Sequence, residues 1–239
     1  MSGAITKAIK LSNHPVGVYR TDTLPEGALR FREGVWGCVV SMLNAAAIEG
    51  KSAAFDLKTV ACNGGKAGLG LKEFETGVIE YFLSVGGKGG KPGEHYKKTP
   101  GLALNFVENL PKTKTENYIV FRPLEKMGGE TPEVVVFLVN ADQLSGLATL
   151  ANYDSPTQDN VKILFGAGCM QSVLYALDEQ EKGGKHCFIG LTDPSARKWI
   201  SKDLLSFSIP YHRFIEMENN VKGSFLETEA WNIIRERIE

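Results

Sequence analysis

Glu133-Val134-Val135-Val136-Phe137-Leu138-Val139 decides the fold class of this chain, together with the residues from Asp142 to Asn152 that come after it. Six consecutive apolar residues, Val134 to Val139, suit a strand buried on both faces, as in a sheet covered on both sides. Asp142 to Asn152 then reads as a helix. Further on, Val161 to Phe165 reads as a second buried strand, Cys169 to Leu177 as the helix after it, and Cys187 to Ile189 as a third strand. Such strand–helix alternation favours parallel pairing through crossover helices. Tyr211 to Glu218 and Glu227 to Arg237 read as helices that close the chain.

Toward the N-terminus the pattern is less regular. Tyr118 to Phe121, Ala53 to Phe55, and Val16 to Tyr19 after His14-Pro15 read as short strands. Trp36 to Glu49 is apolar on nearly every side and ends at Gly50, which places it in the core as a helix, with Cys38 in its first turn. Lys72 to Ser84 carries Phe74, Val78, Tyr81 and Phe82 on one stripe and reads as amphipathic. Thr99-Pro100 has the form of an N-cap followed by a proline at the first helical position, the helix running to about Asn109 before Pro111. Between these last two, Val85 to Gly93 holds five glycines and two lysines. The loop at 85–98 is therefore expected to be flexible: it is the best candidate for a hinge or lid, a disordered surface loop being the commoner case. The expected architecture is α/β (mixed α+β): a central mixed, partly parallel sheet with flanking helices, in a single domain over residues 1–239.

Composition narrows the function classes. Of 239 residues, 43% are apolar and 23% charged, and 27 basic side chains nearly balance 28 acidic ones. No excess charge points to nucleic acid or to a membrane surface. No uninterrupted apolar run approaches the ~18 residues of a membrane span. Met1 to Leu11 carries Lys7 and Lys10 and lacks the apolar stretch of a secretory signal, so a cytoplasmic location is expected. In that compartment the four cysteines, Cys38, Cys62, Cys169 and Cys187, are expected as thiols. None belongs to a Cys-x-x-Cys pair, so a zinc ribbon or a bacterial ferredoxin site is excluded. No His-x-x-x-His and no Gly-x-Ser-x-Gly occurs, which removes the zincin and α/β-hydrolase patterns.

Two segments concentrate the chemistry. Ala61-Cys62-Asn63-Gly64-Gly65-Lys66 is followed by Gly68 and Gly70, and Phe165-Gly166-Ala167-Gly168-Cys169 ends what reads as a strand. Each sets a cysteine in a glycine-rich turn leading into a helix. Backbone N–H groups there stabilise a thiolate, an anion or a metal-bound sulfur, and a helix N-terminus lowers a thiol pKa. The first segment is not a phosphate-binding P-loop, because Gly65-Lys66 runs into Ala67. The second lacks the third glycine of a dinucleotide fingerprint, which falls on Gln171. Gly64, Gly65, Gly166 and Gly168, with Lys66 and Arg197, form a candidate cofactor- or anion-binding set. Asp193 before Pro194 reads as a helix cap, and Cys187 beside His186 reads as structural.

The order of these segments resembles the DUF169 family, a group of uncharacterised proteins found largely in archaea and anaerobic bacteria. The resemblance runs from about Val16 to Phe214. It is carried by Gly37-Cys38, Cys62-Asn63-Gly64-Gly65 with Gly68-Leu69-Gly70, and Arg122-Pro123-Leu124-Glu125-Lys126. Phe165-Gly166-Ala167-Gly168-Cys169, Gly190-Leu191-Thr192-Asp193 and Ile209-Pro210-Tyr211 complete it. Asn63 stands where the family commonly has proline. The resemblance implies no activity, but it implies that Cys38, Cys62 and Cys169 belong together. Three thiolates suit a soft transition metal or an iron–sulfur cluster, the latter needing a fourth ligand from Cys187, another side chain or an exogenous molecule. The alternatives are a metal-free thiol enzyme with Cys169 as nucleophile and Cys62 as its resolving partner, and a non-catalytic binder of a small anion or nucleotide. A last alternative has the cysteines filling core space while a homo-oligomer surface carries function.

Overall fold

Seven strands form one sheet: β1 (Val16–Thr21), β2 (Ala53–Phe55), β3 (Tyr118–Pro123), β4 (Val134–Val139), β5 (Val161–Lys162), β6 (Cys187–Gly190) and β7 (Leu205–Pro210). Their order across the sheet is β2-β3-β1-β4-β7-β6-β5. The computed structural model describes residues 3–114 and 116–238, and Met1, Ser2, Thr115 and Glu239 lie outside the described residues. The helices are α1 (Ala4–Ala8), α2 (Val39–Glu49), α3 (Asn63–Gly68), α4 (Ile79–Phe82), α5 (Pro100–Glu108) and α6 (Ala141–Leu150). After them come α7 (Tyr175–Glu181), α8 (Pro194–Arg197), α9 (Tyr211–Asn220) and α10 (Glu229–Glu236). A π-helical stretch, Met170–Leu174, leads into α7. The fold is α/β, on a mixed and partly parallel sheet. The chain divides into two compact units, Met1–Leu71 with Thr113–Glu239, and Lys72–Lys112. No helix among the described residues is long and apolar enough to cross a membrane.

Strand–helix alternation sets strand direction in the larger unit, but not the pairing expected from it. Since β7 is antiparallel to both β4 and β6, and β5 is parallel to β6, strands β4, β5 and β6 all run one way. Among the seven strands, direct parallel pairing is confined to β5 and β6, beside an isolated parallel bridge between Leu29 and Ala53. β7 enters between β4 and β6 in the opposite sense, and no sequence signal had marked it as a strand. It reads Leu205-Ser206-Phe207-Ser208-Ile209-Pro210, and both faces are buried. Phe207 and Ile209 join Val135, Phe137 and Val139 of β4 in one apolar cluster. On the other face, Ser206 Oγ lies 2.9 Å from Ser172 Oγ, and Ser208 Oγ donates to the Ser172 carbonyl at 2.8 Å. The small hydroxyls satisfy one another and bring the π-helical stretch down onto the sheet.

Local rules explain the elements that were foreseen. All six β4 residues are fully buried. Helix α6 starts on a reciprocal capping box, in which Asn140 Oδ1 accepts the Gln143 N–H at 2.9 Å and Gln143 Oε1 accepts the Asn140 N–H at 3.1 Å. The helix expected from Trp36 begins only at Val39, because Cys38 holds the extended backbone of an N-cap, and Trp36 is left 58% exposed. The buried strand expected over Val161 to Phe165 is shorter. It pairs only through Lys162, and Ile163, Leu164 and Phe165 are exposed.

In the smaller unit, Thr99 Oγ1 accepts the Leu102 N–H at 3.3 Å and Pro100 opens α5, as expected. The amphipathic helix expected from Lys72 shrinks to Ile79–Phe82. Gly77, at φ +105°, breaks the helical path, and its N–H is taken by the Glu80 carboxylate at 2.9 Å. The N–H groups of Glu94, His95 and Lys97 donate to the carbonyls of Phe82, Ser84 and Leu83 at 2.7, 3.0 and 3.0 Å. Lys88 Nζ lies 4.8 Å from the centre of the Tyr81 ring.

A buried arginine links α9 to the end of α6. Arg213, 2% exposed, donates to Asp154 at 2.5 and 2.9 Å, to Glu216 at 2.7 Å and to the Ala151 carbonyl at 3.1 Å. Its guanidinium holds the Asp154 carboxyl at about 2, below the ordinary 3.8. A carboxyl depressed on folding contributes stability above its unfolded pKa, and loses that contribution as pH falls through its folded one. Stability is therefore expected to fall between about pH 4 and pH 2, and Asp154→Asn to flatten that decline. Denaturation midpoints across this range, measured on both proteins, check it; parallel curves would refute it.

Candidate functional site

Three of the four cysteines open a helix or its π-helical lead. Cys38 is the N-cap of α2, Cys62 the N-cap of α3, and Cys169 the N-cap of the π-helical stretch before α7. The glycine-rich segment after Cys62 is itself the helix, rather than a turn leading to one. Cys62 Sγ accepts the Gly65 N–H at 3.4 Å, a cap made with sulfur in place of oxygen. Cys169 donates its S–H to the Gly64 carbonyl at 3.3 Å, which ties the two glycine-rich segments together across 105 residues.

The glycines face protein neighbours. A methyl group added to Gly68 would stand 2.3 Å from Cys169 Sγ and 2.9 Å from the Met170 nitrogen. One added to Gly65 would stand 3.1 Å from Val39 Cγ2, and one added to Gly168 3.2 Å from Val40 Cγ2. The starts of α2, α3 and the π-helical stretch thus approach one another because these positions lack side chains. Gly166 lies under Tyr175, whose hydroxyl donates to the Phe165 carbonyl at 2.5 Å. Gly64 supplies the carbonyl that Cys169 uses.

Charge on Cys62 bears on both Cys38 and Cys169. Burial pushes the Cys169 thiol far above its ordinary value, and negative charge on Cys62, Cys38 or Asp193 pushes it further. The sequence-based expectation was the reverse, a thiol acidified by a helix N-terminus. Burial outweighs the helix here, because a poorly solvated thiolate is costly. Burial also raises Cys38, opposed by the amides of Val40 and Ser41 and reinforced by Cys62 and Asp193. Cys187 stands apart from all of these. It is buried in the apolar cluster of β4 and β7, 3.9 Å from Met217 Sδ, and burial pushes its thiol up to about 12. All four cysteines are free. Among the described residues, no group of three or more His, Cys, Asp or Glu side chains stands ready to hold a metal ion.

The loop after β6 fastens the second glycine segment from the far side. Asp193 caps α8, as read from the sequence, and also accepts the Gly168 N–H at 3.0 Å. Gln171, 2% exposed, brackets the neighbouring residue: its Oε1 accepts the Thr192 N–H at 2.9 Å and its Nε2 donates to Thr192 Oγ1 at 2.7 Å. Immediately before Thr192 and Asp193 the backbone is strained. Leu191 is fully buried at φ +61°, a conformation unfavourable for a branched side chain. Gln171 had attracted notice only as the residue that spoils a dinucleotide fingerprint. Its clamp on Thr192, like the bond from Asp193 to Gly168, spans more than twenty residues and leaves no local pattern.

Arg197 is committed to backbone. Its guanidinium donates to the carbonyls of Leu204 and Lys202, with longer contacts of 3.5 Å to those of Leu191 and Ser201. It stands at a cleft of about 470 Å³ at the carboxyl ends of β4 and β6, walled by Val139, Ala141, Leu144, Leu191 and Leu205. Lys66 lies in the last turn of α3, half-buried.

A family model described as "Uncharacterised ArCR" matches residues 4–220. No curated protein and no solved structure matches the chain.

Proposed function

The chain belongs to the DUF169 family, and on that premise we propose that it binds a thiophilic cation, a soft transition-metal ion or an iron–sulfur cluster, through Cys38, Cys62 and Cys169. One observation carries this reading: three thiols each open a different helical segment, and the glycines of α3 bring it against Cys169 on one side and against Val39, next to Cys38, on the other. Cys38 and Cys169 resist ionisation, because burial and then a neighbouring thiolate raise its cost. A cation that displaces their protons removes that repulsion, so metal binding and deprotonation occur together. Soft metals favour thiolate ligands. Three protein ligands leave a fourth position for another molecule, as at catalytic metal sites. Loading the site deprotonates Cys169 and so breaks its S–H bond to the Gly64 carbonyl. A metal-free role for Cys169 as nucleophile draws no support from a thiol that burial holds protonated.

Cobalt(II) is a suitable probe, because thiolate-to-metal charge-transfer absorption reports the ligands. The anaerobically purified protein is expected to take up cobalt with such bands. Cys38→Ser, Cys62→Ser and Cys169→Ser should each weaken uptake by more than the roughly 100-fold upper range for a lost outer-shell contact, and Cys187→Ser should bind like the parent. Absence of uptake, or uptake indifferent to the three replacements, would refute the reading.

A further inference from the structure

We infer that Asp193 is the positioning residue for Cys169, holding it through the Gly168 amide; this rests on the three-cysteine reading above. The Asp193 carboxylate is 9% exposed, and each of its oxygens accepts a backbone N–H. Oδ1 takes the Ser195 N–H at 3.0 Å, which caps α8, and Oδ2 takes the Gly168 N–H at 3.0 Å, across 25 residues. The Ser195 hydroxyl adds a contact of 2.9 Å to both oxygens. Gly168 immediately precedes Cys169, so the direction of its N–H sets the peptide plane that enters the cysteine. On the other side of Cys169, Gln171 is locked onto Thr192 through both ends of its carboxamide. The cysteine is thus held by one clamp before it and one after it, both anchored in the strained loop after β6.

A helix cap does not need a carboxylate, since asparagine serves equally well. Accepting two backbone N–H groups, one on each terminal atom, does need one. A carboxamide has a single acceptor oxygen, and its NH₂ would face an N–H. Asp193→Asn therefore separates the two roles. If Asp193 only caps α8, the variant matches the parent. If Asp193 positions Cys169, the variant melts lower because the buried Gly168 N–H is left unpaired, and it also handles cobalt differently.

The test is anaerobic cobalt(II) titration of the full chain, the Asp193→Asn variant and the Cys169→Ser variant, with the charge-transfer spectrum recorded at saturation. The expected result is a roughly 10–100-fold weaker affinity in Asp193→Asn, the range for loss of an outer-shell partner. Its spectrum should shift toward that of Cys169→Ser. Equal affinity and an unchanged spectrum in Asp193→Asn, with the parent loading normally, would overturn this inference alone. A parent protein that takes up no cobalt would overturn the three-cysteine reading, and the inference with it. Should Asp193→Asn fail to fold, Asp193→Ser, which can cap α8 but is too short to reach Gly168, is read in the same way.

Discussion

Replacing Phe207 by alanine is expected to cost roughly 3–5 kcal/mol of stability, the range for a fully buried aromatic ring that leaves a cavity behind. The site cannot collapse easily. Phe207 is wholly inaccessible, pairs with Phe137 across the β4–β7 ladder and sits in a strand bonded on both edges. Relaxation would have to move the π-helical stretch, which the Ser206 and Ser208 hydroxyls hold to the opposite face. Urea denaturation followed by circular dichroism measures the loss as a lower midpoint at constant slope. A change under about 1 kcal/mol would be smaller than the range for a buried Phe→Ala, and would mean that β7 is not a closely packed centre of the sheet.

Gly68→Ala is the second large effect, and it acts on the site as well as on the fold. The added methyl would meet Cys169 Sγ at 2.3 Å, Cys169 Cβ at 3.0 Å and the Met170 nitrogen at 2.9 Å. Neither the cysteine nor the backbone behind it is the free end of a flexible chain, so α3 and the π-helical stretch must separate. Overpacking of this kind costs typically 1–3 kcal/mol. The separation also moves Cys169 away from α3, which Cys62 opens, so cobalt binding should fall with it. Gly129→Ala is the matched control, because a methyl there meets nothing within 4 Å. If Gly68→Ala bound cobalt and melted like that control, the close approach of the two segments would be refuted.

The parts of the fold that sequence patterns revealed are those governed by local rules. Val134 to Val139 can hardly be anything but a doubly buried strand, and Thr99-Pro100 marks its helix through neighbours a few residues away. β7 escaped notice because Ser206 and Ser208 look like solvent-facing positions, whereas they are buried against partners more than thirty residues away. The extension of β5 to Phe165 erred in the opposite direction: an apolar run was taken as buried, and the structure exposes it. At the candidate site, the two glycine segments were visible as sequence. Their meeting rests on Cys169, Gly64 and Gly68, which no spacing connects. The acidity of Cys169 was misjudged for a related reason: a helix start can be read from sequence, but the burial that overrides it is a property of the packed chain.

The position of β7 sets an order of events during synthesis. The chain makes β2, β3, β1 and β4 as one contiguous piece of sheet, and β5 with β6 as another; the strand that joins them is the last to be made. Until Pro210 has left the ribosome, β4 and β6 each present an unpaired edge, and such edges invite pairing with other chains. A nascent chain ending near residue 204 is therefore two fragments of a sheet with no seam between them, and the bridging strand converts both at once into a single cooperative structure.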